Sequence, residues 1–358
     1  MGRVKDYIVE APEGSWNGLE PVAMITRDHR GKYWSVLLML KGCWMLLWAR
    51  LTGRLGLLHV NFGDRGSAAR KSLLVLFGRM LGAPVFLHFH AVTFDRDIER
   101  LPAPARWLAR LPFRIATCNI VLGSKWKHWL QRDLRIDKTP IEILVNGVPV
   151  EPLVSRTHEQ RAKIEILFLG NLIERKGVSD FIHALSLIGE DAPHWQARLA
   201  GNGNISHYTS LAEAAGVAER VAFNGWVGQD TAHSLIAQSD LLVLPSYDEG
   251  LPLVILEALG LGTPVITTPI GAIPEVLTDG RDVQFCQPGD REVLAATMRR
   301  LMQDAALRQS LCDQGIATYR EKFSVEAFRR NLLAIWSRYT LLQPHQDEII
   351  ARRDAEQR

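Results

Sequence analysis

Between residues 57 and 304, short apolar runs take turns with helical patterns, and this alternation restricts the fold more than any other feature of the chain. In the first half the runs fall at 57–62, 84–89, 115–121 and 141–145, with helical patterns at 68–81 and 125–134. The pattern then restarts. Strand-like runs at 164–169, 196–200, 221–223, 241–244 and 264–267 alternate with helical stretches at 181–188, 206–215, 231–238, 251–260 and 291–304. Strands separated by helices pair in parallel through crossover connections. Each half therefore predicts a doubly wound α/β domain, and 358 residues is the size of two. The boundaries expected are a first domain over 1–148, a linker over 149–163, a second domain over 164–324, a long helix over 325–342 returning to the first domain, and a charged tail over 343–358.

Charge and cysteine usage remove several classes of function. With 42 basic and 39 acidic residues the net charge is +3, too balanced for a nucleic-acid binder. The four cysteines (Cys43, Cys118, Cys286, Cys312) lack zinc or disulfide-framework spacing, which fits a reducing cytosol. The first twenty residues are polar and carry both signs of charge, unlike a signal peptide. The most apolar long run, 33–49, is interrupted by Lys41 and is short for a span of about 20 residues. Its Trp34, Trp44 and Trp48, with Lys41, Arg50 and Arg54, would suit a membrane surface. A buried helix of the first domain is the favoured expectation.

The chemistry concentrates at 247–257, Tyr-Asp-Glu-Gly-Leu-Pro-Leu-Val-Ile-Leu-Glu. It follows the buried run 241–244, so the order is strand, tight loop, helix. Gly250 offers backbone freedom, and Pro252 suits a first helical turn. A helix start presents free N–H groups and the positive end of a dipole to an anion such as a diphosphate. Glu249 would sit at the mouth, and Glu257 about two turns into the helix. A diphosphate carrying a sugar at each end would meet the helix start and both acids.

Other strand ends in the second half run into glycine turns. Gly170 follows the first strand and precedes Glu174-Arg175-Lys176-Gly177, whose adjacent cations suit a phosphate pair. Gly201-Asn202-Gly203 would let a ligand approach the backbone, and Phe223-Asn224-Gly225 would let a base do so.

Taken together, these motifs and the run Gly262-Thr263-Pro264-Val265-Ile266 resemble the nucleotide-sugar-binding domain of the retaining glycosyltransferases of the GT-B fold, family 4. The likeness is close over 164–304. It is looser in the first half, through His88-Phe89-His90-Ala91, Gly123-Ser124-Lys125 and Asn146-Gly147-Val148. The resemblance implies two Rossmann-like domains facing a central cleft. It also implies transfer of a sugar from a nucleotide-diphosphate sugar to a hydroxyl of a glycan or lipid-linked acceptor, with retention. Arg175 and Lys176 would neutralise the leaving diphosphate, and Glu249 would hold the transferred sugar. Glu257 would bind the ribose, and Gly250, Leu251, Pro252 and Leu253 would contribute backbone N–H groups. His90 would face the donor sugar or orient the acceptor, with His88 a weaker match. No metal and no cofactor are expected beyond the nucleotide sugar itself. Family settings suggest cell-surface polysaccharide biosynthesis, in the cytoplasm or peripheral on the inner face of the membrane.

Three further expectations complete the reading. Asp95-Arg96-Asp97 has the D-x-D pattern of a metal site, but its central arginine opposes a cation, and it is read as loop charge. Gly2-Arg3-Val4 resembles the inside of the family's first glycine loop, as if the opening strand were missing. That feature keeps open a truncated, non-catalytic nucleotide-sugar-binding protein, and a sugar-nucleotide epimerase built from the same two domains is a separate alternative.

Overall fold

A computed structural model describes residues 7–12, 15–16, 18–26, 32–63, 66–90, 94–151, 157–159, 163–189 and 192–340. The glycine-loop opening at 2–4, parts of the linker and the tail over 343–358 lie outside the described residues. The chain divides into two compact units. One comprises the described residues of Met1–Asn146 with those of Phe328–Arg358, and the other is Gly147–Ala327.

In the first unit β1 (Leu58–Phe62), β2 (Val85–Phe89), β3 (Cys118–Val121) and β4 (Ile141–Ile143) form a parallel sheet in sequential order. Every residue of β2 and β3 is buried, as expected for strands covered on both faces. Around them pack α1 (Lys32–Leu51), α2 (Gly66–Met80), α3 (Phe94–Glu99), α4 (Ala103–Ile115) and α5 (Ser124–Arg132). The core is aromatic, with Phe62, Phe89, Phe94 and Phe113 meeting largely edge to face. The last helix, labelled α13 (Val325–Tyr339), joins this unit from Phe328 onward. Its Trp336 donates Nε1–H to His59 Nδ1 at 3.3 Å, and its Tyr339 hydroxyl donates to Glu142 at 2.7 Å.

Two expectations for this unit change. Asp95 and Asp97 are not in a loop; they occupy the first turn of α3, where acids favour the positive end of the helix dipole. The apolar helix α1 is not buried. Gly42 and Leu46 turn inward, with Gly42 close to Met24 and to Leu74 of α2, but most of the large side chains of α1 face outward.

The second unit is a six-stranded parallel sheet. Its strands are β5 (Lys163–Leu169), β6 (His194–Ala200), β7 (Val221–Gly225), β8 (Leu241–Leu244), β9 (Val265–Thr267) and β10 (Gln284–Phe285). Their order is β10-β9-β8-β5-β6-β7, so the winding reverses between β5 and β8. This is the Rossmann strand order, and the loops after β5 and β8 flank its switch point. The flanking helices are α6 (Val178–Ser186), α7 (Ile205–Ala214), α8 (Gln229–Gln238), α9 (Leu253–Gly260), α10 (Ile273–Val276), α11 (Arg291–Gln303) and α12 (Ala305–Thr318). Asp290 and Asp304 cap α11 and α12, accepting from Val293 N–H at 3.0 Å and Leu307 N–H at 2.8 Å.

Candidate nucleotide-sugar site

The switch point of the second unit gathers the charged residues singled out in its sequence. After β5 the chain makes a short 3-10 turn, Glu174–Lys176, ended by Gly177 in a left-handed conformation with φ 72°. After β8 it runs through Ser246 to Glu249. The two loops are tied together: Tyr247 N–H donates to the Arg175 carbonyl at 2.9 Å, and the Arg175 guanidinium donates to the Asp248 carbonyl. The Lys176 ammonium pairs with the Glu249 carboxylate, which also accepts from Ser246 Oγ at 3.0 Å.

The two adjacent cations differ in setting. Arg175 is exposed, but the Lys176 side chain is only 14% exposed and Glu249 only 10%. The expected cation and the expected sugar-binding acid hold each other.

Helix α9 begins at Leu253, with Pro252 at its N-cap and no side chain capping it. Ile255 N–H donates to the Pro252 carbonyl at 3.2 Å, which leaves the Leu253 and Val254 N–H groups to an anion. Because the helix starts two residues later than the sequence suggests, Glu257 lies just over one turn in, not two. It is buried, and its carboxylate lies 3.7 Å from His233 Nε2, on α8. His233 carried no signal in the sequence, where it is a lone histidine on a helix.

The glycine turns pack against one another. A Cβ on Gly201 would sit 1.8 Å from the Gly170 carbonyl oxygen, and one on Gly203 would sit 2.1 Å from that of Leu172. Both glycines have φ near 150°. They are required because neighbouring loops press backbone on backbone: Gly170 N–H donates to Ala200, Leu172 N–H to Asn202, and Gly201 N–H to Gly225. Gly250, by contrast, has open space around its missing side chain and does not use a left-handed conformation. Phe223 and Gly225 lie on β7, both half-buried, and Leu251 is half-buried beside the buried Pro252.

A second network braces the acid loop from behind. Asp180, buried on α6, accepts from the Tyr247 hydroxyl at 2.6 Å and from Arg291 Nε at 2.7 Å. The hydrogen bond to Asp180 is the main reason the Tyr247 phenol is pushed up and the Arg291 guanidinium raised.

His90 belongs to the first unit, just beyond β2. Its Nε2 lies 3.2 Å from Asn61 Oδ1, and its ring lies 4.0 Å from that of His88. Burial, with Coulombic repulsion from His59 and Lys71 among the smaller contributions, lowers its pKa to about 3. His90 is therefore neutral at pH 7, a hydrogen-bonding group and not a cation. His88 is wholly buried with neither ring nitrogen hydrogen-bonded. Among the described residues, no group of three or more His, Cys, Asp or Glu is arranged to hold a metal ion.

A Rossmann-ordered sheet thus carries two cations, an open helix start and two acids at its switch point, where sheets of this order take their ligands. Comparison with known proteins narrows the class. Residues 163–304 match the family described as glycosyl transferases group 1. The chain is similar to the alpha-D-kanosaminyltransferase of Streptomyces kanamyceticus, with 25% identity over 338 residues, 88% of this chain and 87% of that enzyme. It is 31% identical over 206 residues to the lipopolysaccharide core biosynthesis glycosyltransferase LpsD of Rhizobium meliloti, covering 56% of this chain and 58% of that one. It is 29% identical to the glycogen synthase of Mycobacterium tuberculosis over about half of that enzyme's length. In structure it is similar to Anabaena Alr3699/HepE in complex with UDP, with a TM-score of 0.66, 16% identity, and coverage of 86% of this chain and 84% of that one. The family match is confined to 163–304, and the likeness to the solved structures gives the chain the GT-B fold of two Rossmann-like units.

Proposed function

We propose that the protein transfers a sugar from a nucleotide-diphosphate sugar to a hydroxyl of a glycan or lipid-linked acceptor, with retention and without a metal. The observation that carries this reading is the meeting of Arg175, Lys176, Glu249 and the α9 start at the switch point of one sheet. Breaking the glycosyl–phosphate bond leaves the electron pair on the diphosphate and positive charge on the sugar ring. Fixed cations and helix N–H groups aimed at the diphosphate stabilise that separation. On donor binding, the diphosphate would take Lys176 from Glu249 and leave the carboxylate to the sugar hydroxyls. The acceptor hydroxyl would attack the face the diphosphate leaves and pass its proton to it.

Glu257 is suited to accept from the ribose hydroxyls, with His233 beside it. His90, being neutral, is suited to hydrogen-bond a sugar hydroxyl. Alr3699/HepE has been crystallised with UDP-glucose, which supports a nucleotide-sugar donor here. The relative LpsD, a lipopolysaccharide core biosynthesis glycosyltransferase, supports a setting in cell-surface polysaccharide assembly. The outward apolar stripe of the 32–51 helix suits a place on the cytoplasmic side, peripheral to the inner face of the membrane.

The test incubates the protein with UDP-, GDP- and ADP-sugars, with and without a mixed glycan and lipid-linked acceptor extract, in the presence of EDTA. The reading expects acceptor-dependent release of one nucleoside diphosphate that EDTA does not abolish, and a product of retained anomeric configuration. Conversion of the sugar without acceptor would instead identify an epimerase. Binding without turnover would identify a non-catalytic protein.

A further inference from the structure

Helix α1 is built the wrong way round for a soluble domain. Its 20 residues contain no acid, and at 3.6 residues per turn Tyr33, Leu37, Leu40, Trp44, Trp48 and Leu51 fall on one stripe. In a helix packed on a core that stripe would face inward. Here it faces solvent: Leu40 is 62% exposed, Trp44 60% and Trp48 57%, with Trp44 and Trp48 stacked on each other. The small opposite face, at Gly42 and Leu46, rests on the protein. Contiguous exposed apolar surface of this size marks an interaction site.

The charge around the stripe indicates what covers it. Lys41, Arg50 and Arg54 are exposed beside it, and no hydrogen bond or ion pair among the described residues takes up their side-chain charges. With the helix included, 18 Lys and Arg stand against 7 Asp and Glu between Lys32 and Asn146, while the whole chain carries only +3. Helices α2, α4 and α5 contain no acid at all. Tryptophans with an apolar stripe and a cationic surround match the interfacial zone of an anionic bilayer, where indole rings favour the headgroup level and basic side chains meet lipid phosphates. The helix is about 30 Å long, enough to span, but Lys41 lies mid-helix and Gly42 and Leu46 anchor one face to the protein, so it lies in the surface and does not cross.

We infer that the outer face of α1 docks the first unit onto an anionic phospholipid surface, with Leu40, Trp44 and Trp48 inserted among the acyl chains and Lys41, Arg50 and Arg54 against the phosphates. This deepens the membrane part of the proposed function and rests on it, but its test reads binding without turnover. Failure here therefore leaves the transfer chemistry standing, and failure of transfer leaves this result readable.

The experiment is co-sedimentation of the full chain with phosphatidylcholine vesicles, with and without phosphatidylglycerol. Three proteins are compared: the parent, L40Q/W44Q/W48Q and K41E/R50E/R54E, each with circular dichroism and analytical ultracentrifugation alongside. The substituted side chains are exposed, so the variants keep the parent's dichroism. The parent is expected to bind vesicles containing phosphatidylglycerol at least tenfold more strongly than neutral ones, and less as salt rises. The apolar variant is expected to lose binding to both, and the charge variant to lose the preference. A parent that stays in solution with both vesicles overturns the inference. So does binding that neither variant changes, or a parent dimer that the apolar variant dissociates, since a second copy would then cover the stripe.

Discussion

The pairing of Lys176 with Glu249 makes a prediction that the sequence alone would not. From the loop pattern, losing Lys176 should cost turnover and little else. In the structure it also strands Glu249. That carboxylate is 10% exposed, and its remaining partner is Ser246 Oγ at 3.0 Å. Breaking a buried ion pair by removing one partner costs about 3–5 kcal/mol, because the other charge stays desolvated. With one hydrogen bond retained, Lys176→Ala should fall at the lower end, about 3 kcal/mol. Removing both charges should relieve most of this, so K176A/E249A should be more stable than K176A, with a coupling of roughly 2–3 kcal/mol. Neither protein should turn over. A chain of two units need not unfold in one transition. Stability is therefore best read by hydrogen exchange under urea, in peptides covering 163–189 and 241–260. A loss below about 1 kcal/mol in K176A, or a coupling within about 0.5 kcal/mol of zero, would refute the reasoning.

Three further outcomes are expected. Glu257→Ala should weaken nucleoside-diphosphate binding by roughly 1.5–3 kcal/mol, the worth of hydrogen bonds to a charged group, and His233→Ala should move affinity in the same direction by less; titration calorimetry reads both, and unchanged affinity in Glu257→Ala would contradict the ribose assignment. Gly201→Ala should fail to give a stable second unit or cost on the order of 3 kcal/mol, since the new Cβ meets the Gly170 carbonyl in a conformation nearly confined to glycine; normal melting of that variant would count against the loop-on-loop account. Acid should loosen the first unit: burial lowers His59 to about 4, and His88 and His90 shift the same way. The unfolded state binds these protons first, so stability is full above about pH 6.5 and falls as pH drops towards 4, by about 3 kcal/mol from His59 alone. Because His59 Nδ1 accepts from Trp336, the loss should appear as release of α13, read by exchange in 325–339; stability flat between pH 7 and pH 4 would contradict it.

Much of the fold was legible because buried parallel strands leave unbroken apolar runs, and runs such as 241–244 have no other use. What escaped had physical reasons. Helix α4, not singled out in the sequence, holds Pro104 in its first turn, which tolerates proline, and Pro112 further in, where proline ordinarily breaks a helix. The apolar run at 33–49 reads as buried because apolar content signals burial, whereas the stripe of the helix it forms faces outward. At the site, the motifs around Arg175 and Glu249 stood out singly. Their pairing did not, because 73 residues separate Lys176 from Glu249 and only the β5–β8 neighbourhood joins them. Gly201 and Gly203 stand out in the sequence as ligand approaches. Their use in packing depends on a backbone a full strand away.

The central claim is that the switch point of the second unit binds a diphosphate through Lys176 and the start of α9. It is tested most directly by titrating UDP, GDP and ADP into the parent protein and into Lys176→Ala and Glu257→Ala. The account predicts that one nucleotide binds the parent and loses at least tenfold in affinity in each variant. Undiminished binding in Lys176→Ala, or no binding of any nucleotide to the folded parent, would contradict it.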